Sequence, residues 1–121
     1  MSYLLDSVIL IDHLNGVPAA ENYLLAVRDA SISVITRTEV LTGCDVSEIA
    51  GAEELLNRYP TLSIDREVAD LAALLRRQHR WRLPDAFQAA LAKIHGLRLV
   101  TRNTKDFPPA KHKFVVLPYE I

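Results

Sequence analysis

Short apolar runs alternate with longer stretches of helical period along the whole chain. Tyr3 to Leu5 is a compact apolar run that stops at Asp6-Ser7, and Val8, Ile9, Leu10, Ile11 and Leu14 then follow with the spacing of a short helix that Ser7 is placed to cap. After the Asn15-Gly16 turn, Pro18 opens a second helix carrying Tyr23, Leu24 and Val27. Ile32 to Ile35 reads as a second strand, with a helix starting near Thr36 and ending at Gly43. Ile49 to Arg58 has helical period, Thr61 to Ile64 reads as a weak third strand, and Asp65 caps the longest helix, whose apolar face is Val68, Leu71, Ala72, Leu74 and Leu75. Leu83-Pro84-Asp85 opens an Ala-rich helix ending at Gly96. Strands over Leu97 to Val100 and Phe114 to Leu117 close the pattern.

Strands separated by helices imply right-handed crossovers and a mostly parallel sheet covered on both faces, an α/β class. Neither a repeat nor a Ser/Gly-rich linker divides residues 1–121, so the expectation is one domain.

Composition adds three constraints. Half of the residues are apolar and 24% are charged, which is ordinary for a globular domain. Cys44 is the only cysteine, which excludes an internal disulfide and fits a cytoplasmic protein. No apolar run approaches the roughly 20 residues of a membrane span. The net charge of −1 conceals an asymmetry: residues 1–60 hold 3 basic and 9 acidic side chains, residues 61–121 hold 11 and 6. The halves therefore carry −6 and +5, a pattern suited either to differing solvated faces or to an acidic site beside a surface for a polyanion.

In an open parallel sheet, ligands bind beyond the carboxyl ends of the strands. Acidic and amide side chains recur there: Asp6 after the first strand, Glu39 a turn after the second, Asp85 opening the helix before the fourth, and Asn103 and Asp106 just after it. Each also has a structural reading as a cap or helix-dipole partner. Gathered in one place, three or four carboxylates need a cation to stay ionised. An oxygen-only set without Cys or paired His suits Mg²⁺ or Mn²⁺. Such an ion activates water against a phosphodiester. Arg76, Arg77, Arg80 and Arg82 interleave with His79 and Trp81 just before Asp85, and Arg102, Lys105, Lys111 and Lys113 extend the basic character. A nucleic-acid strand fits that pattern, with Trp81 either a stacking ring or a core residue.

The segments that carry these residues resemble, in order, the four motifs of the PIN-domain ribonucleases. They are Tyr3 to Asp12, Ser33 to Gly43, Leu83 to Ala92, and Leu99 to Phe107. Within that family the chain is similar to the VapC-type toxins. The resemblance implies a PIN-like three-layer α/β/α fold and an endoribonuclease that leaves 5′-phosphate and 3′-hydroxyl ends. It makes Asp6, Glu39 and Asp85 the metal-site residues for Mg²⁺ or Mn²⁺, with Asn103 or Asp106 completing the catalytic set, and Arg77, Arg80, Arg82, Arg102 and Lys105 as RNA contacts. It further implies a homodimer held inactive by a VapB-type antitoxin. The chain departs from the pattern at Asn103, where many relatives carry Asp, and at Val8, where Asn is usual. A PIN-like module that binds RNA or protein without catalysis is the alternative that Asn103 raises. A receiver-type phosphoacceptor domain would require a second acidic residue beside Asp6 and a Lys after the last strand. A haloacid-dehalogenase phosphatase would require an Asp at position 8. The chain has Leu5-Asp6, Leu117-Pro118 and Val8 at those places.

Overall fold

The computed structural model describes residues Met1–Ile121. Five strands, β1 (Tyr3–Leu5), β2 (Ala30–Ser33), β3 (Thr61–Leu62), β4 (Arg98–Val100) and β5 (Val115–Val116), form one sheet in the order β3-β2-β1-β4-β5. Every pairing is parallel, so the mostly parallel expectation becomes an all-parallel sheet. Six α-helices cover it: α1 (Ser7–Leu14), α2 (Pro18–Ala26), α3 (Val34–Thr42), α4 (Ile49–Leu56), α5 (Arg66–His79) and α6 (Leu83–His95), with a 3₁₀ turn at Val46–Glu48 before α4.

The two-residue period of a strand sends successive side chains to opposite faces, and this splits the core in two. Leu4, Leu99 and Val115 join Val68, Ala72, Leu75 and the alanines of α6 on one face. Leu5, Val100 and Ile32 join Ile9, Leu10, Val40, Leu55 and Leu56 on the other. Helices α5 and α6 thus form one outer layer, and α1, α3 and α4 the other. Small side chains Ala86, Ala89, Ala90 and Ala92, all fully buried, let α6 lie close against the sheet. No helix is long and apolar enough to cross a membrane.

Two boundaries differ from expectation for a physical reason. The run Ile32–Ile35 is β-branched and reads as strand, yet Ser33 Oγ accepts the Thr36 N–H at 3.1 Å and starts α3 at Val34. The strand accordingly ends at Ser33 and begins two residues earlier, at Ala30. At α1 the cap is Asp6, whose Oδ1 accepts the Ser7 N–H at 2.9 Å, in place of Ser7. The cap of α5 follows expectation, with Asp65 Oδ1 accepting from Val68 N–H at 2.9 Å. That helix ends on Arg80 at φ 59, a left-handed conformation usually reserved for glycine.

Sheet order fixes where a site can form. The chain runs outward from β1 through β2 to β3, then returns to add β4 and β5 on the other side of β1. Its direction of winding changes between β1 and β4, and the crevice beyond their carboxyl ends is the place where ligands bind in open parallel sheets.

Candidate active site

Asp6 leaves β1 into that crevice, 7% exposed, and both of its oxygens are engaged. Oδ1 accepts from Ser7 N–H and, at 3.2 Å, from Gln88 Nε2; Oδ2 accepts from Thr101 Oγ1 at 2.7 Å. Gln88, 1% exposed on α6, ties this carboxylate to the neighbouring elements. Its Nε2 also donates to Thr36 Oγ1 at 2.7 Å, and its Oε1 accepts from Ser33 Oγ at 2.7 Å. Thr36 Oγ1 in turn donates to the Leu5 carbonyl at 3.2 Å. One buried amide therefore sets β1, the start of α3 and α6 in register around Asp6. Sequence reasoning singled out neither Gln88 nor Ser33, Thr36 or Thr101. The available signal was a long polar side chain inside the apolar run from Ala86 to Ala92.

Asp85 lies one helical turn before Gln88 on the same face of α6 and is 6% exposed. Its Oδ2 is buried without a hydrogen bond; Arg82 Nε approaches to 3.5 Å, but that guanidinium is 76% exposed and lacks hydrogen-bond geometry. Burial and the negative charge of Asp6 push the Asp85 carboxyl up to about 6, with Arg82 opposing and Asp106 adding to the rise. An ionised carboxylate with an unsatisfied oxygen beside a second carboxylate is a standing electrostatic cost, which a cation relieves.

Glu39 lies one turn beyond Thr36 on α3, half-buried, and joins no ion pair. Asn103 and Asp106 form a closed turn after β4. Asn103 Nδ2 donates to Asp106 Oδ2 at 3.0 Å, and Asn103 N–H donates to Thr101 Oγ1 at 3.0 Å. Asn103 thus steadies the turn, while Asp106 supplies the charge felt at Asp85. As the side chains stand, no three His, Cys, Asp or Glu groups converge tightly enough to enclose an ion by themselves. Mg²⁺ commonly needs only one or two carboxylates and keeps several waters, so the Asp6 and Asp85 oxygens are a fitting donor set.

Of the expected RNA contacts, Arg77, Arg80, Arg82 and Lys105 are exposed, and only Arg82 joins an ion pair, the long one to Asp85. Arg102 is different. Its Nε and Nη2 are held by both oxygens of Asp12 at 2.6 and 2.8 Å, so its charge is already matched within the protein. Trp81 is also no stacking platform: it is 4% exposed, packs on Phe107 at 4.6 Å between ring centroids, and donates its Nε1–H to the Asp106 carbonyl at 2.9 Å. Exposed His79 stacks on the Trp81 ring at 4.2 Å.

The PIN domain family matches this chain over residues 3–112. The chain belongs to the PIN-domain family. Ribonuclease VapC10 of Mycobacterium tuberculosis is 35% identical over 113 residues, spanning 87% of this chain and 85% of the relative. Ribonuclease VapC19 of the same organism is 29% identical over 114 residues, spanning 87% and 91%. A solved toxin-antitoxin complex from Klebsiella pneumoniae contains a chain that superposes with a TM-score of 0.92 at 38% identity, covering 99% of this chain and all of that one. The three-layer PIN fold is thereby shown for this chain, and the receiver and phosphatase alternatives fall away.

Proposed function

We propose that this PIN domain is a divalent-metal-dependent endoribonuclease, the toxin of a toxin–antitoxin pair, with Asp6 and Asp85 holding Mg²⁺ or Mn²⁺. The observation that carries the reading is the buried Asp6/Asp85 pair. Asp85 keeps an oxygen free of hydrogen bonds and is raised to about 6 by burial and by its neighbour. When bound, the cation polarises a phosphodiester oxygen and lowers the pKa of water.

The protein's own residues do the positioning. Gln88, Thr101 and the Ser7 N–H fix the Asp6 carboxylate in one orientation. Asp85 stands ready as the second oxygen donor, and Glu39 and Asp106 are assigned to orienting water. Asn103 serves by holding Asp106. Exposed Arg77, Arg80, Arg82 and Lys105 neutralise phosphates along the strand; Arg102, bound by Asp12, is left out of that group.

An antitoxin partner is supported by the likeness to the Klebsiella complex. A groove of about 350 Å³ offers it a mixed seat, lined by Leu24, Leu25, Leu55 and Tyr59 together with His13, Glu21 and Arg58. Leu25 is 72% exposed there.

The test is cleavage of a mixed RNA pool by purified, antitoxin-free protein with Mg²⁺ or Mn²⁺, beside EDTA and an Asp6→Asn, Asp85→Asn variant. Discrete cleavage lost in both controls supports the reading. A folded wild type that binds the ion but cuts nothing overturns the activity, and one that binds no ion overturns the metal site.

A further inference from the structure

Six residues along α1 from Asp6, a second buried acid has no part in the acidic cluster. Asp12 is 6% exposed, and both of its oxygens are occupied. Arg102 grips it with two parallel bonds, Nε to Oδ2 at 2.6 Å and Nη2 to Oδ1 at 2.8 Å, and Tyr119 OH donates to Oδ2 at 2.8 Å. The three residues come from three segments: α1, the turn after β4, and the chain beyond β5. The hydrogen bond from Arg102 lowers the Asp12 carboxyl below the usual range against the opposing effect of burial, and burial first and Asp12 second push the Tyr119 phenol up, so all three keep their bonding states at neutral pH.

Arg102 stands between two residues that touch the site. Thr101 Oγ1 donates to Asp6 Oδ2, and the Asn103 N–H donates back to Thr101 Oγ1. A two-pronged guanidinium–carboxylate contact fixes orientation as well as distance, so it sets the backbone from Thr101 to Asn103 against the same helix that Asp6 caps. We propose that Asp12, Arg102 and Tyr119 form a positioning clamp that registers the 101–106 turn against α1, and that Arg102 works through this contact and not as a phosphate ligand. The inference rests on the ribonuclease reading for its cleavage, metal and RNA arms, while the amide resonances are independent of it.

A buried ion pair is a poor stabiliser compared with an apolar contact of the same volume, because desolvation offsets much of the attraction. What it supplies is geometry. Removing support of this kind behind a metal-binding carboxylate costs about 10- to 100-fold in metal affinity or activity.

Arg102→Gln, Arg102→Lys, Asp12→Asn and Tyr119→Phe should be compared with wild type in four readouts. These are single-turnover cleavage per folded molecule, Mn²⁺ affinity by calorimetry, RNA affinity on an Asp85→Asn background, and the amide resonances of Thr101 and Asn103. The clamp predicts that Arg102→Gln and Asp12→Asn behave alike. Cleavage or Mn²⁺ affinity falls about 10- to 100-fold, RNA affinity stays within about twofold with an unchanged salt dependence, and both amide resonances shift. Arg102→Lys keeps the charge but loses the fork, so it does not restore the rate. Tyr119→Phe leaves the Asp12–Arg102 pair in place, so it folds and gives a smaller loss of the same kind.

Weaker RNA binding and a shallower salt dependence in Arg102→Gln, with tighter binding in Asp12→Asn where the guanidinium is freed, would make Arg102 a phosphate ligand and overturn the proposal. So would a loss of stability with unchanged rate and metal affinity per folded molecule. If wild type cuts no RNA, the ribonuclease reading fails by itself. The clamp then stands or falls on whether the two amide resonances move in Tyr119→Phe and Arg102→Lys.

Discussion

Asp85→Asn should make this protein more stable while abolishing its activity. The native state raises the Asp85 carboxyl from 3.8 to about 6, through burial first and the charge of Asp6 second. At ~1.4 kcal/mol per pKa unit, the ionised group costs the metal-free fold about 2–3 kcal/mol at pH 7.5. Asparagine keeps the shape and removes the charge. The sign with pH follows from linkage: the folded state binds the proton more tightly than the unfolded state, so wild type gains stability as pH falls from 7 through 6 toward 4. The variant lacks this gain, and the gap between the two proteins should halve near pH ~5 and nearly close by pH ~4. His112, lowered by burial and by His79, has the opposite slope below its ordinary 6.5, but it is common to both proteins and cancels in the difference. Urea unfolding in EDTA between pH 4 and 8 measures the gap directly. A variant equal to or less stable than wild type at pH 7.5, or a gap that ignores pH, would refute the electrostatic account. Mg²⁺ added at pH 7.5 should narrow the gap by stabilising wild type alone.

Three further substitutions probe the supports of the site. Gln88→Leu removes three buried hydrogen bonds, one of them to the Asp6 carboxylate, and should destabilise the protein by about 2–4 kcal/mol in urea titrations; a loss under ~1 kcal/mol would mean that the network is not a structural keystone. Arg80→Gly relieves the left-handed strain at φ 59 at some cost in chain entropy. It should raise stability by about 0.5–1 kcal/mol, read as a higher melting temperature, while weakening RNA binding. Trp81→Phe keeps a ring against Phe107 but loses the bond to the Asp106 carbonyl, for about 1 kcal/mol of stability.

The parts of the fold that local chemistry dictates were legible in the sequence. Tyr3–Leu5 is the only way to read an apolar triplet stopped by Asp6, and Asp65, Pro84 and Gly96 punctuate α5 and α6 as their backbone requirements demand. Val34 and Ile35 misled because β-branched residues favour strands, while the Ser33 hydroxyl, a single hydrogen bond, decided for helix. The acidic residues proposed for the site stand out in the sequence because a carboxylate at a strand end is conspicuous. Their supports do not, because each is defined by a partner far along the chain. Gln88 acts on Ser33 at a separation of 55 residues, Thr101 on Asp6 at 95, and Arg102 on Asp12 at 90. Counting charge placed Arg102 on a basic surface; only the folded chain revealed the acid that claims it.

The adjacency of β1 and β4 also governs when this protein becomes chemically competent. Tyr3 pairs with Arg98 and Leu5 with Val100, so the strand that delivers Asp6 is completed by the fourth of the five strands in chain order. Closing so long a loop is slow compared with forming α1 or α5. A chain still emerging from the ribosome, or one cut before β4, has Asp6 but lacks Thr101 and the neighbouring strand. The Asp6 carboxylate is therefore fully supported only once residues 98–101 have been made and docked, 95 residues after Asp6 itself in the case of Thr101.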